Sequence, residues 1–537
     1  MRRGLGAGPG AEGRLWSLGS QGGDGGNAWE PPTGFTVESQ GPGDDGGAGG
    51  GRRRPAPGIL RGAEGVVSSI SRVIRLRVAA PLLVFLAACT SVGASVPRPP
   101  PDLPAPSRAP EGAPQGVLAP SPGLDGPGGG IGGPREGGVV SLLPVARVTL
   151  PRQTGDVRAL WVVRTAILHP DSARAAVRRA RDAGFNTLLV QVRGRGDAYF
   201  DSRLEPPPEG MASAISEYDP LGTVIDEATR LGLEVHAWVN VHVVASAVSP
   251  PNDPRHILRS RPELLAVPRA LAAELFNRNP RDPAYLNALL RYTRGQGDRL
   301  EGMFTNPADP RVQEHLVAVV RDLVERYPVA GIHFDYLRYP SANFDYSRGS
   351  LEAFRSWVMG RVGEGTQGAE GRWPGDPLAY VSAFPGLWDA FRVEQISRTA
   401  ESLSAAARQA RPGIVVSAAV YPDPGEAVRT RFQNWNRWLE DGVVDVVAPM
   451  IYTGGEEVFL RQLRLAASID PRRVWAGVGI YQDTFQTAVE KARAARSLGV
   501  GGVALFSYDW AVSGDGSAVA SGPYLPRFGG EVWGTNR

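Results

Sequence analysis

The stretch Gly331-Ile332-His333-Phe334-Asp335-Tyr336-Leu337-Arg338-Tyr339-Pro340 opens with a short strand, Gly331–Tyr336, that ends abruptly in charge. Ile332 and Phe334 alternate with His333 and Asp335, the period of two that puts the latter pair on one face of a strand. An acid directly after apolar strand residues is costly without a task, so Asp335 marks a strand end that opens onto something. Similar runs recur on either side. Residues 158–163, 187–192 and 234–239 precede it, and 414–419, 443–450, 474–480 and 503–507 follow. Amphipathic helical patterns separate them, at 172–183, 221–231, 311–326, 387–411, 457–468 and 486–498, with a long excursion at about 245–309. Eight strands joined by helical crossovers predict a parallel sheet, and that count predicts an α/β fold of the closed (β/α)8 TIM barrel kind. The competitor is an open, doubly wound sheet, which needs a glycine-rich phosphate loop leading into a helix. Gly194-Arg195-Gly196-Asp197 comes nearest, and it lacks both the third glycine and the helix.

Composition divides the chain. Residues 1–150 hold 33 of the 68 Gly and 20 of the 47 Pro, so the low-complexity front separates from a foldable remainder. Of 58 basic residues all but Lys491 are Arg, which reflects base composition more than a nucleic-acid surface; no aromatic-interleaved basic patch accompanies them. One Cys excludes an internal disulfide and a Cys-built metal site.

That Cys has a telling position. Arg72, Arg75 and Arg77 precede an uncharged run at 78–88, too short to span a bilayer and of the length of a signal-peptide core. Leu86-Ala87-Ala88-Cys89 has the form of a bacterial lipobox, in which the Cys is lipidated and becomes the new N-terminus; the alternative is a buried apolar helix with a chance Cys. The expected organisation is a disordered region at 1–65 (a gene-model extension, if translation starts near 66–73), a lipoprotein signal peptide at 66–88, a Gly/Pro-rich tether at 89–150, a barrel at 151–520 and a tail at 521–537. It places the protein on the bacterial cell envelope, held to a membrane through lipidated Cys89.

In a TIM barrel the active face is where the strands' C-terminal ends open. Those ends supply Gln191, Arg193, Arg195, Tyr199 and Glu205, then His236, Trp238, Asn240 and His242. Asp335, Arg338, Tyr339, Tyr421, Asp423, Met450, Tyr452, Tyr481, Gln482, Tyr508, Asp509 and Trp510 complete the rim. Aromatic faces suit the C–H surfaces of sugars, and amides, Arg and carboxylates suit their hydroxyls.

The strand ending in Asp335, taken with Arg158-Ala159-Leu160-Trp161-Val162, Leu204-Glu205-Pro206, the run Glu234-Val235-His236-Ala237-Trp238-Val239-Asn240, Asn306-Pro307 and Pro449-Met450-Ile451-Tyr452, resembles the glycosyl hydrolase-like 10 family. The resemblance spans about 156–512. It implies a barrel, often a lipoprotein, in a family that includes hydrolases of peptide-free peptidoglycan glycan strands. Many members carry two consecutive Asp at the fourth strand's end; here Tyr336 follows Asp335.

Glycoside hydrolysis needs two carboxyl groups, one to protonate the leaving oxygen and one to attack or activate water. Asp335 is the first choice, against pairing with Arg338 or Arg193 alone. Glu205 is the second, in a loop expected to fold over the rim, against a solvated loop acid. Asp509 and Asp423 are reserves. Arg193 and Arg338 are expected to orient a carboxylate or to bind an acidic sugar group such as the lactyl carboxylate of muramic acid, with structural pairing the alternative. Asn240 suits a ring hydroxyl. Trp238, Tyr339, Tyr421, Tyr452, Tyr481 and Trp510 are substrate-binding candidates, Trp238 being equally a core residue. His236, His242 and His333 invite a metal check, with satisfied histidines the default. No cofactor is expected. The reading is a glycosidase of an amino-sugar polymer; a non-catalytic glycan-binding barrel and a metal-dependent deacetylase are the alternatives.

Overall fold

The computed structural model describes residues 156–513 and 523–534, apart from 212–214 and 216. The expectations for 1–65, 66–88, Cys89 and the tether at 89–150 lie outside the described residues.

Eight parallel strands close a barrel. In chain order the strands are β1 (Val157–Val162), β2 (Thr187–Arg193), β3 (Glu234–Asn240), β4 (Val243–Ala245), β5 (Met303–Phe304), β6 (Gly331–Asp335), β7 (Val415–Val420), β8 (Val446–Ile451), β9 (Trp475–Gly479) and β10 (Gly502–Phe506). Around the barrel the order is β1-β10-β9-β8-β7-β6-β3-β2, and β4 and β5 form a separate antiparallel pair. The architecture is the (β/α)8 barrel.

Alternation sorts side chains between two cores. Ile332 and Phe334 point outward into the layer shared with the helices, as do Val235, Ala237 and Val239 of β3. The inner face holds Ala159, Trp161, Leu189, Trp238, Trp475 and Ala504. His333 joins this interior: Trp161 Nε1 donates to its Nε2 at 3.2 Å, and Ser417 Oγ lies 2.9 Å from its Nδ1. Large rings need small partners to reach interior density. A Cβ on Gly331 would fall 2.3 Å from the His236 ring, so that glycine makes room for the imidazole.

The crossover helices begin on local signals. Asp219 and Asp309 accept from Gly222 N and Arg311 N, each ahead of a proline at the first helical position. The 245–309 excursion is packed as a structural insert: β4 and β5 lie over the ends of β3 and β6, and Val241 N and His242 N donate to the carbonyls of Asp335 and Tyr336.

One boundary differs from expectation. The segment 521–537, expected as a tail, contains the helix Tyr524–Trp533, which buries Leu525, Phe528 and Val532. Phe528 and Trp533 lie 6.4 and 6.2 Å from Phe185. Its Pro and two Gly hide a helical pattern that tertiary burial enforces. At the N-terminal end of the barrel a cavity of about 650 Å³ is bordered by Val157, Val415, Trp475 and Arg496. The polar constellation lies at the opposite end.

Candidate active site

Asp335 ends β6 and pairs in register with Asn240 of β3. Arg338 Nη1 donates to its Oδ1 at 2.9 Å and the Tyr336 N–H donates to the same oxygen at 2.6 Å. Among the described residues Oδ2 has no donor. Tyr336 holds φ at +52°, a left-handed backbone that costs a non-glycine residue on the order of 1 kcal/mol or more. Arg338 stacks 4.2 Å over its ring and Phe304 lies 5.9 Å away, so the contacts of the insert hold the kink. The kink ends the strand's alternation and brings the guanidinium of Arg338 back onto the carboxylate three residues earlier. Arg338 is therefore a positioning group for Asp335, with Tyr421 5.5 Å from it on the other side.

Glu205 is placed otherwise than expected, and Arg193 takes the structural pairing that was its alternative. The β2–β3 register shifts between Gln191 and Arg193, so Arg193 lies opposite Val239, which faces the outer layer. One extra residue in a strand turns the following side chain to the other face. Arg193 is 0% exposed and donates to the carbonyls of Asn240 and Val241 and, through Nε and Nη2, to both oxygens of Glu205 at 2.8 and 2.7 Å. His315 Nε2, on the helix Pro310–Arg326, lies 2.9 Å from Glu205 Oε1. Burial alone would raise the Glu205 pKa; the Arg193 charge and the bonds from His315 and Arg193 outweigh it and hold the carboxyl at about 2. A carboxylate so engaged is a poor proton donor, and Arg193, wholly buried with four of its five N–H groups bonded within the protein, is closed to a sugar. Both belong to the framework.

Two further expectations, for Tyr339 and Asp423, are corrected, and Trp238 takes the core position that was its alternative. Tyr339 is 1% exposed, edge-on to Phe432 at 5.4 Å, because the Tyr336 kink carries it beneath the rim. Trp238, 4% exposed, belongs to the barrel interior. Asp423 caps the short helix Pro424–Glu426 by accepting from Glu426 N at 2.8 Å. Asn240 is buried and donates through Nδ2 to the Gly194 carbonyl at 2.9 Å, fixing the loop after β2.

Across the mouth stands an aromatic wall. Tyr452 lies 5.3 Å from Phe506 and 5.7 Å from Tyr481, and Tyr481 lies 6.0 Å from Trp510. Tyr421, Tyr481 and Trp510 keep partial exposure while Tyr452 is buried, so the first three offer the accessible faces. Gly479 makes this packing possible: a Cβ there would sit 2.7 Å from the Tyr452 ring and 3.0 Å from Tyr481.

Asp509 follows β10 and accepts at Oδ1 from Ser507 Oγ. Burial raises its pKa, with the hydrogen bonds and Arg164 opposing, so it keeps its proton above the ordinary carboxylate range. In the eight-stranded order β10 is diametrically opposite β6, so Asp509 and Asp335 start from facing positions on the rim.

Two mouth residues escaped the sequence reading. Arg164, just beyond β1, donates to Gln191 Oε1 at 2.7 Å; reading the end of the first strand like the other seven finds it. Glu301, 4.0 Å from Arg338 Nη2, comes from the insert, and nothing in its sequence neighbourhood marks it. Asp335 and Glu301 flank one planar guanidinium, so their carboxylates lie within about 9 Å of each other.

The histidines do not assemble a metal site. Burial lowers His242 to about 3, helped by Arg193, and lowers His333 to about 3, helped by His236. Among the described residues no group of three or more His, Cys, Asp or Glu side chains is placed to hold an ion.

Residues 156–492 match the family described as Glycosyl hydrolase-like 10. The chain is 26% identical over 290 residues to glycosyl hydrolase DigH of Escherichia coli (strain K12), covering 50% of this chain and 55% of that one. It is 21% identical over 290 residues to glycosyl hydrolase YngK of Bacillus subtilis (strain 168), covering 50% of this chain and 46% of that one. The chain thus spans about half the length of the curated relatives it matches. A beta-galactosidase from the psychrophilic Marinomonas ef1 superposes with a TM-score of 0.45 at 14% identity, over 65% of this chain and 54% of that one.

Proposed function

This chain belongs to the glycosyl hydrolase-like 10 family, and from that premise we propose that it is a glycoside hydrolase whose reaction is carried by Asp335. The observation behind the proposal is an aspartate at a barrel strand end, braced by Arg338 and facing a wall of partly exposed aromatic rings. Cleavage passes through an oxocarbenium-like transition state, so one carboxylate must face the anomeric carbon while an acid protonates the departing oxygen. Asp335, steadied at Oδ1 and open at Oδ2, is the attacking or base group. Asp509, which burial keeps protonated above the usual range, is the acid. Glu301 is the other acid within reach of Asp335, and Tyr481 and Trp510 stack on the sugar faces.

The finer reading is a polymer of amino sugars, peptidoglycan glycan in particular, cleaved by a protein held to the envelope through lipidated Cys89. Its support is the resemblance in the motifs and the Leu86-Ala87-Ala88-Cys89 sequence. Incubation of the purified protein with peptide-free glycan strands tests it: reducing ends should appear with wild type and fall by about 100-fold or more with Asp335→Asn. Undiminished release by that variant removes Asp335 from the chemistry. Binding without release from any glycan favours the non-catalytic barrel.

A further inference from the structure

Arg164, Arg193, Arg195 and Arg338 lie at or just beyond the ends of β1, β2 and β6, and three of them are spent on the protein itself. Arg193 is locked to Glu205, Arg338 to Asp335, and Arg164 to Gln191. Arg195 is the exception: among the described residues its guanidinium makes no hydrogen bond and no ion pair.

Its backbone is treated in the opposite way. The Arg195 N–H donates to Asp197 Oδ1 at 2.6 Å, and its carbonyl lies 2.8 Å from His256 Nε2. His256 Nδ1 accepts from Leu258 N, which leaves the proton on Nε2 for that carbonyl. Asn240 holds the preceding Gly194 carbonyl, and Gly196, at φ +72°, completes a turn under which the His256 ring fits. The loop thus fixes the origin of a side chain that it leaves unpaired.

The surroundings are short of negative charge. Arg164 and Tyr336 interact electrostatically with Arg195, and so do Asp197 and Tyr199. Asp197 acts on both Arg164 and Arg195, and Asp509 interacts with Arg164, so Arg195 shares its nearest carboxylate with a second cation. Tyr199 and Tyr336 are kept neutral by burial, and so remain hydrogen-bond donors. Burial and the charge of Arg164 both lower the Arg195 pKa, the mark of a cation that wants a counter-ion. A half-buried, unpaired guanidinium is costly to maintain, and a carboxylate is the planar partner its fork matches.

We propose that Arg195, backed by Arg164, forms a subsite that receives a carboxylate carried by a sugar of the polymer on the β2 side of the mouth. The subsite rests on the reading of the mouth as a glycan cleft, and it restricts that cleft to acidic polysaccharides. A lactyl ether on an amino sugar and the C5 carboxyl of a uronic acid both present this group.

The test is equilibrium binding by calorimetry to the full chain, with no turnover required. The probes are a disaccharide of N-acetylglucosamine and N-acetylmuramic acid, its methyl ester, a β-linked diuronate and the methyl ester of that diuronate. Wild type should bind at least one acid about tenfold or more tightly than its own ester, and the arm that shows the ratio identifies the source of the carboxylate. Arg195→Gln should bring that ratio to about one, and Arg195→Lys should keep part of it. Wild-type ratios near one in both arms overturn the proposal, as does a ratio undiminished in a folded Arg195→Gln. Should that variant not fold, the wild-type ratios and their decline with added salt decide alone. Selective binding without cleavage would overturn the hydrolase reading and leave the subsite standing; cleavage without acid preference would do the reverse.

Discussion

Replacing Glu205 by Gln separates a framework residue from a catalyst. The side chain is 3% exposed and takes hydrogen bonds from Arg193 at 2.7 and 2.8 Å and from His315 at 2.9 Å. A folded-state pKa of about 2 against an ordinary 4.5 corresponds to roughly 3 kcal/mol of stability. Because the pKa is depressed, that stability is fully present above the ordinary value and is lost only as pH falls through about 2, so at pH 7 the whole amount is at stake. Breaking a buried pair and stranding Arg193 costs about 3–5 kcal/mol, in accord with that figure. For a barrel of roughly 380 residues the unfolding entropy near the midpoint is about 0.8 kcal/mol per degree, so Glu205→Gln should lower Tm by about 4–6 °C. Circular dichroism melts at pH 7 measure this, alongside hydrolysis well below both midpoints, where kcat should stay within about threefold of wild type. In a double-mutant cycle Arg193→Met should lose most of its cost once Glu205 is Leu. An unchanged Tm with kcat down by about 100-fold would refute the assignment and return Glu205 to the chemistry.

Further outcomes follow from the same geometry. Asp509→Asn should remove the alkaline limb of the kcat/KM profile, because burial raises that carboxyl and the wild-type acid is lost as pH climbs past it; an unshifted limb would transfer the role to Glu301, with Glu301→Gln as the companion variant. Gly479→Ala should raise KM more than it lowers Tm, since the new Cβ displaces the Tyr452 and Tyr481 rings; equal binding of glycan by both proteins would contradict the aromatic wall. Asp345, wholly buried between Val267 N, Ser347 and Ser350, is pushed up by burial to about 6 from an ordinary 3.8. Its contribution is therefore present below the ordinary value and is lost as pH rises through about 6, a difference of about 3 kcal/mol that Asp345→Asn should erase from a Tm-against-pH series.

Much of the barrel was legible because its signals are local. Alternation of two residues, helical periodicity and the Asp-Pro starts at Asp219 and Asp309 act within a few positions, and the observed strands lie within three residues of those expected. The family motifs were legible too, though several turn out to be architectural. Asn306 of the Asn-Pro turn bonds Ser347 and Ser350, and Glu205 bonds Arg193. The aromatic positions Tyr452, Tyr481 and Trp510 fell on the rim by counting strand ends alone.

Sequence by itself determined the closed parallel barrel and pointed to Asp335 at the end of β6, since both depend on the order of polar and apolar residues along single strands. Only tertiary structure decided which charged groups reach the mouth. A one-residue register shift after Gln191 sends Arg193 outward to Glu205 and leaves Arg195 as the unpaired cation of that loop. A left-handed Tyr336 folds Arg338 onto Asp335 and hides Tyr339, while an insert far from it in sequence brings Glu301 beside the same guanidinium. A strand's alternation fixes only relative sides, so a single bulge or kink reverses every assignment beyond it, and contacts between distant segments hold the result.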